Sequence, residues 1–278
     1  MSIARAITDW DDAYANGPNV PGGDKWSASW IAPARAYREA AVASGRARLD
    51  IAYGSAPREA YDLFLPSKSP RGLVIFVHGG YWRALDKSYW SQLAAGPIAH
   101  GHAVAMLGYS LCPNVRIRDI TKQIAAAIIA AAAEIAGPID LMGHSAGGHL
   151  VARQVCADSR LRSQIRGRIR NVVAISGVHD LRPLRNLTIN SDLQLDAEEA
   201  AAESPALLMP LPGVRITCWA GAGERAEFIR QNALLANVWT GLGARTREVL
   251  EQDRHHYNVI DGLTDPRHPL VGALLEPT

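Results

Sequence analysis

The stretch IDLMGHSAGG, residues 139–148, decides the fold of this 278-residue chain. A short apolar run is followed at once by a Gly-x-Ser-x-Gly pentapeptide and then by a predicted helix from Ala146 to about Ala157. A serine in so sharp a strand-to-helix turn has a strained backbone and presents its hydroxyl above the sheet. The pattern therefore predicts Ser145 as a nucleophile, and the alternative is a glycine-rich turn with no chemical role.

Short apolar runs alternate with longer helical segments on both sides of this turn. The predicted strands are 61–65, 72–77, 104–107, 139–142, 171–175, 214–220 and 245–250, and the predicted helices are 117–136, 146–157, 228–242 and a short one at the tail. This order is typical of the α/β class, with a mostly parallel sheet covered by helices on both faces. Because no linker divides the chain, we expect residues 1–278 to form one domain.

Two segments lie outside this alternation. Residues 1–50 precede the sheet, and their aromatic side chains favour a helical segment packed near its rim. Residues 180–213 are too many for an ordinary connection between a strand and a helix. We expect this excursion to form short helices at the sheet edge, where a lid would lie.

Composition excludes several classes of protein. The counts of 29 Lys and Arg against 27 Asp and Glu leave a charge of +2, which gives no reason to expect nucleic acid or an anionic membrane as partner. The apolar run 124–133 is too short for a membrane span, and the N-terminus lacks the apolar core of a signal peptide. Cys112, Cys156 and Cys218 have no metal-binding spacing and are typical of buried thiols in a reducing compartment. A soluble, cytoplasmic protein is predicted.

A second glycine motif, His78-Gly79-Gly80-Tyr81-Trp82, follows the strand 72–77. Loops of this kind donate backbone N–H groups to the oxyanion that forms when a serine attacks a carbonyl. We expect the donors to be the N–H groups of Gly80, Tyr81 and Ala146. His78 is predicted to hold the loop in place rather than to act as a base.

The large side chains beside these glycines are expected to shape the substrate pocket. Trp82 and His144 are predicted to line the substrate pocket, and the pair Tyr81-Trp82 is expected to narrow its acyl side. Formyl or acetyl groups would then be favoured over long acyl chains. The alternative for Trp82 is that it packs beneath the loop.

The serine needs a base and the base needs an acid to orient it, in the chain order Ser, acid, His. Glu224 follows the strand 214–220 directly after a glycine-rich turn and is the predicted acid; Glu227 and Asp180 are the alternatives. The base is expected after the last strand, where two histidines are adjacent. Spacing alone does not separate His255 from His256.

These motifs together resemble the arylformamidase (kynurenine formamidase) group of α/β-hydrolases. The similar stretches are HGGYWRALDKSYW, GHSAGGHL, SGVHDL and EFIRQ followed by a His-aromatic pair, in that order, between about residues 53 and 260. The resemblance implies the α/β-hydrolase fold, with an excursion between the sixth and seventh core strands. It puts the base on His256, beside Tyr257, and the acid on Glu224, where relatives usually have Asp. The chain departs from the group's asparagine-rich N-terminal pattern at Ala15.

The resemblance implies a serine hydrolase that removes a formyl or acetyl group from an aryl amide or ester through an acyl-enzyme, without metal or cofactor. Its partner would be a small-molecule ester or amide, and a homodimer is the assembly to test. One alternative is a general short-chain carboxylesterase with an unrelated substrate. Another is a catalytically silent binding protein that keeps the hydrolase fold.

Overall fold

The computed structural model describes residues 6–276 and contains an eight-stranded sheet with the order β1-β2-β4-β3-β5-β6-β7-β8. The strands are β1 (Ala47–Ala52), β2 (Ala60–Phe64), β3 (Leu73–Val77), β4 (Ala103–Leu107), β5 (Ile139–His144), β6 (Ile169–Ile175), β7 (Arg215–Gly221) and β8 (Arg245–Glu251). Strand β2 runs antiparallel to both of its neighbours, and the other pairs are parallel. The prediction of a mostly parallel α/β sheet is confirmed.

Helices cover both faces of this sheet. They are α1 (Trp10–Tyr14), α2 (Trp26–Ala43), α3 (Ala95–Ala99), α4 (Ile117–Glu134), α5 (Ala146–Gln154), α6 (Ser163–Arg166), α7 (Asn190–Leu193), α8 (Ala197–Ala202), α9 (Ala226–Gly241) and α10 (Pro269–Leu275). Alternate residues of β3 enter two different apolar clusters: Ile75 packs with α4, α5 and α9, and Phe76 packs with α2 and α10. The near-continuous apolar strands of the sequence therefore reflect burial on both faces.

The edge strand β1 was not predicted. Its residues ARLDIA are mostly exposed, so the segment lacks the apolar run that marked the other strands. The predicted helical segment 1–50 is therefore wrong for its last residues: α2 ends at Ala43, and β1 begins at Ala47. Backbone pairing with β2, rather than burial of side chains, holds these residues in the sheet.

The excursion 180–213 consists of short helices. Helices α7 and α8 lie between 3₁₀ turns at Arg182–Asn186 and Pro205–Leu207. Leu184 and Leu193 are fully buried in the apolar cluster that also contains α5 and α9. The segment is thus anchored to the sheet by its leucines.

The three cysteines form no disulfide bond within residues 6–276. Cys112, Cys156 and Cys218 are buried and unpaired, and burial raises the pKa of each thiol to about 12. Within residues 6–276, no helix combines the length and apolar character needed to cross a membrane.

The turn between β5 and α5 is possible only because its glycines allow backbone to touch backbone. A Cβ atom on Gly147 would lie 1.9 Å from the carbonyl oxygen of Val77 in β3. A Cβ atom on Gly143 would lie 2.2 Å from the carbonyl oxygen of Gly147. Both distances are far below van der Waals contact, and in both cases the obstacle is main chain, which cannot rotate away.

We predict that Gly147→Ala lowers the free energy of unfolding by about 1–3 kcal/mol or more, because the new methyl group must displace β3 or the turn. Urea denaturation measures the change. Gly272→Ala is the matched control: Gly272 lies in α10 with nothing within 4 Å of the added methyl group. This control should be stabilising by up to about 1 kcal/mol, and equal effects of the two substitutions would contradict the prediction.

Candidate active site

Ser145 lies at the turn between β5 and α5 with the left-handed backbone angles φ 56° and ψ −119°. Such a conformation is strained for any residue with a Cβ atom. The N–H group of Ser145 donates to the carbonyl oxygen of Ile175, 2.8 Å away, which ties the turn to β6. Its side chain lines a cavity of about 460 Å³, a volume typical of small-molecule sites.

His256 and Glu224 come together on the same side of the sheet. The Nδ1 atom of His256 lies 2.7 Å from Oε2 of Glu224, and both residues are buried. The other carboxylate oxygen, Oε1, accepts hydrogen bonds from the hydroxyl of Ser176 at 2.5 Å and from the N–H group of Gly221 at 2.7 Å. His256 lines the cavity together with Ser145.

Ser176 is a further residue of the site that the sequence did not predict. It follows β6 directly, and it too has a left-handed φ, 51°. Its N–H group donates to the carbonyl oxygen of Trp219, and its hydroxyl donates to Glu224. The S of the SGVHDL stretch, at the carboxyl end of a strand next to β5, was the signal that could have found it.

The other candidate acids have different partners. Glu227 in α9 accepts a hydrogen bond from the Tyr14 hydroxyl at 2.9 Å and forms an ion pair with Arg230. Asp180 forms an ion pair with Arg182. Both carboxylates are thus engaged with groups other than a histidine.

His255, the alternative base, points elsewhere. Its ring packs edge-on against Trp26 with 5.0 Å between the ring centres. Its Nδ1 atom accepts a hydrogen bond from the N–H group of Tyr257 at 3.2 Å.

The loop 78–82 lies against the serine. A Cβ atom on Gly79 would lie 3.0 Å from that of Ser145. Gly80, Tyr81 and Trp82 have positive φ angles of 112°, 48° and 55°, so three successive residues turn the chain tightly. The side chain of Tyr81 is fixed by its hydroxyl group, which donates a hydrogen bond to the carbonyl oxygen of Tyr14 at 2.6 Å.

The three predicted backbone donors near Ser145 have no acceptor among residues 6–276, and one of them is the N–H group of Gly80. Among the described residues, the N–H group of Tyr81 makes no hydrogen bond. The N–H group of Ala146 is the first of α5, and the first N–H groups of a helix have no acceptor within the helix. Their positions on either side of the serine are compatible with a site for a substrate oxygen.

Trp82 does not line the cavity, so its prediction as a pocket residue is wrong. It is fully buried in the apolar core, and its indole N–H donates to Nδ1 of His149 at 3.3 Å. His78 is also buried; its Nδ1 atom lies 2.7 Å from the carbonyl oxygen of Gly79, and its ring stacks on Tyr109.

His144 lines the cavity and contacts the loop that carries the base. Its Nε2 atom donates to the carbonyl oxygen of His256, 2.8 Å away. Burial, helped by the neighbouring His256 ring, lowers the pKa of His144 well below its usual value. The imidazole is therefore neutral at pH 7 and connects two loops without adding charge.

The N-terminal segment and the excursion complete the cavity. Tyr14 and Trp30 of the N-terminal segment line it, as do Leu187, Thr188 and Ile189 of the excursion. The sequence predicted that both segments lie near the rim of the sheet, but it indicated no pocket residue in the N-terminal segment or in the excursion. The signal was weak, because aromatic residues ahead of a sheet are as compatible with simple packing.

Comparisons with known proteins agree with this geometry. Residues 74–275 match the family model described as "Alpha/beta hydrolase family". The chain belongs to the α/β-hydrolase family. The prediction of the α/β-hydrolase fold is thereby confirmed, and the chain is a hydrolase.

Individual proteins with similar sequences show which group of this family the chain resembles. The chain is 30% identical over 240 residues to a kynurenine formamidase of Danio rerio, which covers 82% of this chain and 80% of the relative. It is 27% identical over 226 residues to that of Drosophila melanogaster, covering 76% and 75%. A crystal structure from Silicibacter sp. TM1040, provisionally named a thioesterase, is 46% identical with a TM-score of 0.91, covering 96% of this chain and 98% of that one. The resemblance to the kynurenine formamidase group is confirmed.

Four buried histidines around the site make stability depend on pH. Burial lowers the pKa of His78 to about 4 and the pKa values of His149 and His179 to about 3. It also lowers the pKa of His144 well below its ordinary value. In the unfolded chain each would titrate near its ordinary value of about 6.5. The unfolded state therefore binds more protons below pH 6.5, so acid favours unfolding.

We predict that the free energy of unfolding falls as the pH is lowered from 7 to 5. Each fully titrating histidine contributes up to about 1.4 kcal/mol per pH unit. Urea denaturation at pH 7, 6 and 5 measures the change, with a constant m-value as the control for two-state unfolding. A free energy that stays constant over this range would contradict the assignment of these histidines as neutral.

Proposed function

We propose that the chain is an arylformamidase-like serine hydrolase that cleaves a formyl or acetyl group from an aryl amide or ester. The observation that carries the proposal is the hydrogen bond between Glu224 and His256 at a cavity that Ser145 also lines. Kinship with kynurenine formamidases supports the aryl amide class.

In the proposed mechanism, Ser145 attacks the substrate carbonyl and His256 takes its proton. The proton then passes from His256 to the leaving amine or alcohol, and the acyl group stays on Ser145. Glu224 accepts a hydrogen bond from Nδ1–H of His256, which leaves Nε2 free as the base and stabilises the imidazolium that forms. Water attacks the acyl-enzyme in the second half of the reaction, with His256 again as the base.

The oxyanion of each tetrahedral intermediate would rest on the N–H groups of Gly80, Tyr81 and Ala146. Removal of one such donor typically costs about 10²- to 10³-fold in rate. The positive φ angles of Gly80 and Tyr81 and the contact of Gly79 with Ser145 support this role. This chemistry needs neither metal nor cofactor, and the intact donor set argues against a silent binding protein.

N-formylkynurenine is the first substrate to test, since the relatives from Danio rerio and Drosophila melanogaster are kynurenine formamidases. A general short-chain carboxylesterase is the second candidate, and the 46%-identical structure provisionally named a thioesterase is compatible with it. The two candidates share the same catalytic groups and differ only in the leaving group.

The three buried, unpaired thiols support a reducing compartment, and we propose the cytoplasm. The proposed partner is the small-molecule ester or amide itself. A homodimer stays a prediction that light scattering can test.

We predict that Glu224→Gln lowers kcat by about 10²- to 10⁴-fold, because an amide at this position cannot stabilise the imidazolium. Glu227→Gln is the matched control and should change kcat less than about threefold, because Glu227 bonds Tyr14 and Arg230 instead. Steady-state kinetics with 4-nitrophenyl acetate measures both. A larger loss from Glu227→Gln than from Glu224→Gln would transfer the role to the other carboxylate.

We predict that kcat/KM falls steadily from formyl and acetyl to butyryl and octanoyl aryl esters, since Tyr81 lines the cavity beside Ser145. N-formylkynurenine belongs in the same panel, with Ser145→Ala as the blank for uncatalysed hydrolysis. A preference for octanoate would contradict the small-acyl proposal. Turnover of acetate esters without turnover of N-formylkynurenine would favour the second candidate.

A further inference from the structure

Tyr81 carries one of the proposed oxyanion donors, yet its main chain is not held by hydrogen bonds. Neither its N–H group nor its carbonyl oxygen has a hydrogen-bond partner within residues 6–276. Its φ angle of 48° is left-handed, a conformation that costs free energy in a residue with a Cβ atom. The position of its N–H group therefore depends on the contacts that hold its side chain.

A hydrogen bond to the end of α1 holds this side chain. The Tyr81 hydroxyl lies 2.6 Å from the carbonyl oxygen of Tyr14, which is the last residue of α1. The last carbonyl groups of a helix have no donor within the helix, so this oxygen is free to accept. Burial raises the pKa of Tyr81 well above its usual value, and the hydroxyl therefore remains a donor at neutral pH.

Tyr14 is in turn fixed to α9. Its hydroxyl donates to Oε2 of Glu227 at 2.9 Å and accepts a hydrogen bond from Nε2 of Gln231 at 3.1 Å, and all three residues are buried. Its ring meets the ring of Phe228 edge-on, with 6.1 Å between the ring centres. The ring centre of Phe228 also lies 4.5 Å from that of His256. Helix α9 thus contacts both the proposed base and Tyr14.

We propose that Tyr14 and the hydroxyl group of Tyr81 are positioning groups for the oxyanion site, and that α1 fixes the loop 78–82 relative to α9. This inference rests on the proposed function. Without the bond to Tyr14, no hydrogen bond within residues 6–276 would hold Tyr81 in its left-handed conformation. The N-terminal segment is then part of the catalytic arrangement and does more than line the cavity.

The position of the donor matters because the substrate oxygen becomes negatively charged only as the tetrahedral intermediates form. An N–H group that is free to move stabilises this charge less, but it changes little for the uncharged ester in the ground state. Loss of positioning should therefore lower kcat and kcat/KM together and leave KM almost unchanged.

Tyr81→Phe tests the proposal, because it removes the hydroxyl and keeps the ring that lines the cavity. We expect kcat for 4-nitrophenyl acetate to fall by about 10- to 100-fold, with KM changed less than about threefold, since a displaced donor loses part of what a deleted donor contributes. Tyr53→Phe is the matched control: its hydroxyl also donates to a main-chain carbonyl, that of Gly108 at 2.8 Å, but Tyr53 does not line the cavity. The control should change kcat less than about twofold.

A transition-state analogue gives a readout that a merely structural role would not change. With phenyl trifluoromethyl ketone, Oγ of Ser145 bonds to the carbonyl carbon, its proton passes to His256, and the carbonyl oxygen becomes an anion in the oxyanion site. The inhibition constant should rise in Tyr81→Phe by about the factor by which kcat/KM falls. In Tyr53→Phe it should equal that of the unmodified enzyme.

A double-mutant cycle tests the connection through Tyr14. Tyr14→Phe removes the hydroxyl that bonds Glu227 and Gln231, and alone it should lower kcat by about 3- to 10-fold because the carbonyl group that holds Tyr81 is less well fixed. In a chain that already carries Tyr81→Phe, the same substitution should lower kcat by less than about twofold, since the bond through which Tyr14 acts is gone.

An unchanged kcat in Tyr81→Phe would overturn the proposal, and so would a raised KM at constant kcat, which would assign the hydroxyl to substrate binding. Equal losses from Tyr14→Phe in the two backgrounds would overturn the role of Tyr14. If Tyr14→Phe does not fold, Tyr81→Phe and the analogue decide the question. Failure of the unmodified enzyme to hydrolyse both 4-nitrophenyl acetate and N-formylkynurenine would instead contradict the proposed function, so the two failures are distinguishable.

Discussion

The close approach of Gly147 to the carbonyl group of Val77 is the constraint on which the rest of the site depends. With 1.9 Å between that oxygen and the position of a Cβ atom, only glycine fits, and α5 can begin directly against β3. Ser145 is thereby held in a left-handed conformation at the carboxyl edge of the sheet. The next strands in the order, β6 and β7, bring Ser176 and Glu224 to the same edge, so the parallel sheet itself assembles the groups.

The proposed acid is a glutamate, whose carboxylate is held at both oxygens. Its side chain has one more rotatable bond than that of an aspartate, and the carboxylate must be held at both oxygens to stay in register with the imidazole. Ser176 and Gly221 bond Oε1, which leaves Oε2 for His256. The connection of His144 to the carbonyl group of His256 fixes the other side of the base.

Much of this could be predicted from the sequence, because periodicity and glycine spacing report local backbone requirements. Buried strands such as β3 and β4 have continuous apolar runs, and the glycines around Ser145 mark a turn that other residues cannot form. The edge strand β1 was not predicted because four of its six residues are exposed and backbone pairing with β2 contributes much of what holds it in the sheet. Ser176 was not predicted because its role depends on its hydrogen bond to Glu224, a residue far away in the chain. Trp82 was wrongly predicted to line the pocket because the sequence does not show that its side chain packs in the apolar core and donates to His149.

The central claim is that Ser145 is a nucleophile made reactive by His256. The most direct measurement is intact-mass and peptide mass spectrometry after brief treatment with a fluorophosphonate, which phosphonylates activated serine hydroxyls with loss of fluoride. The account predicts one adduct per chain, located on Ser145, absent from Ser145→Ala and formed far more slowly in His256→Ala. An adduct on another residue, or labelling at an undiminished rate without His256, would contradict it.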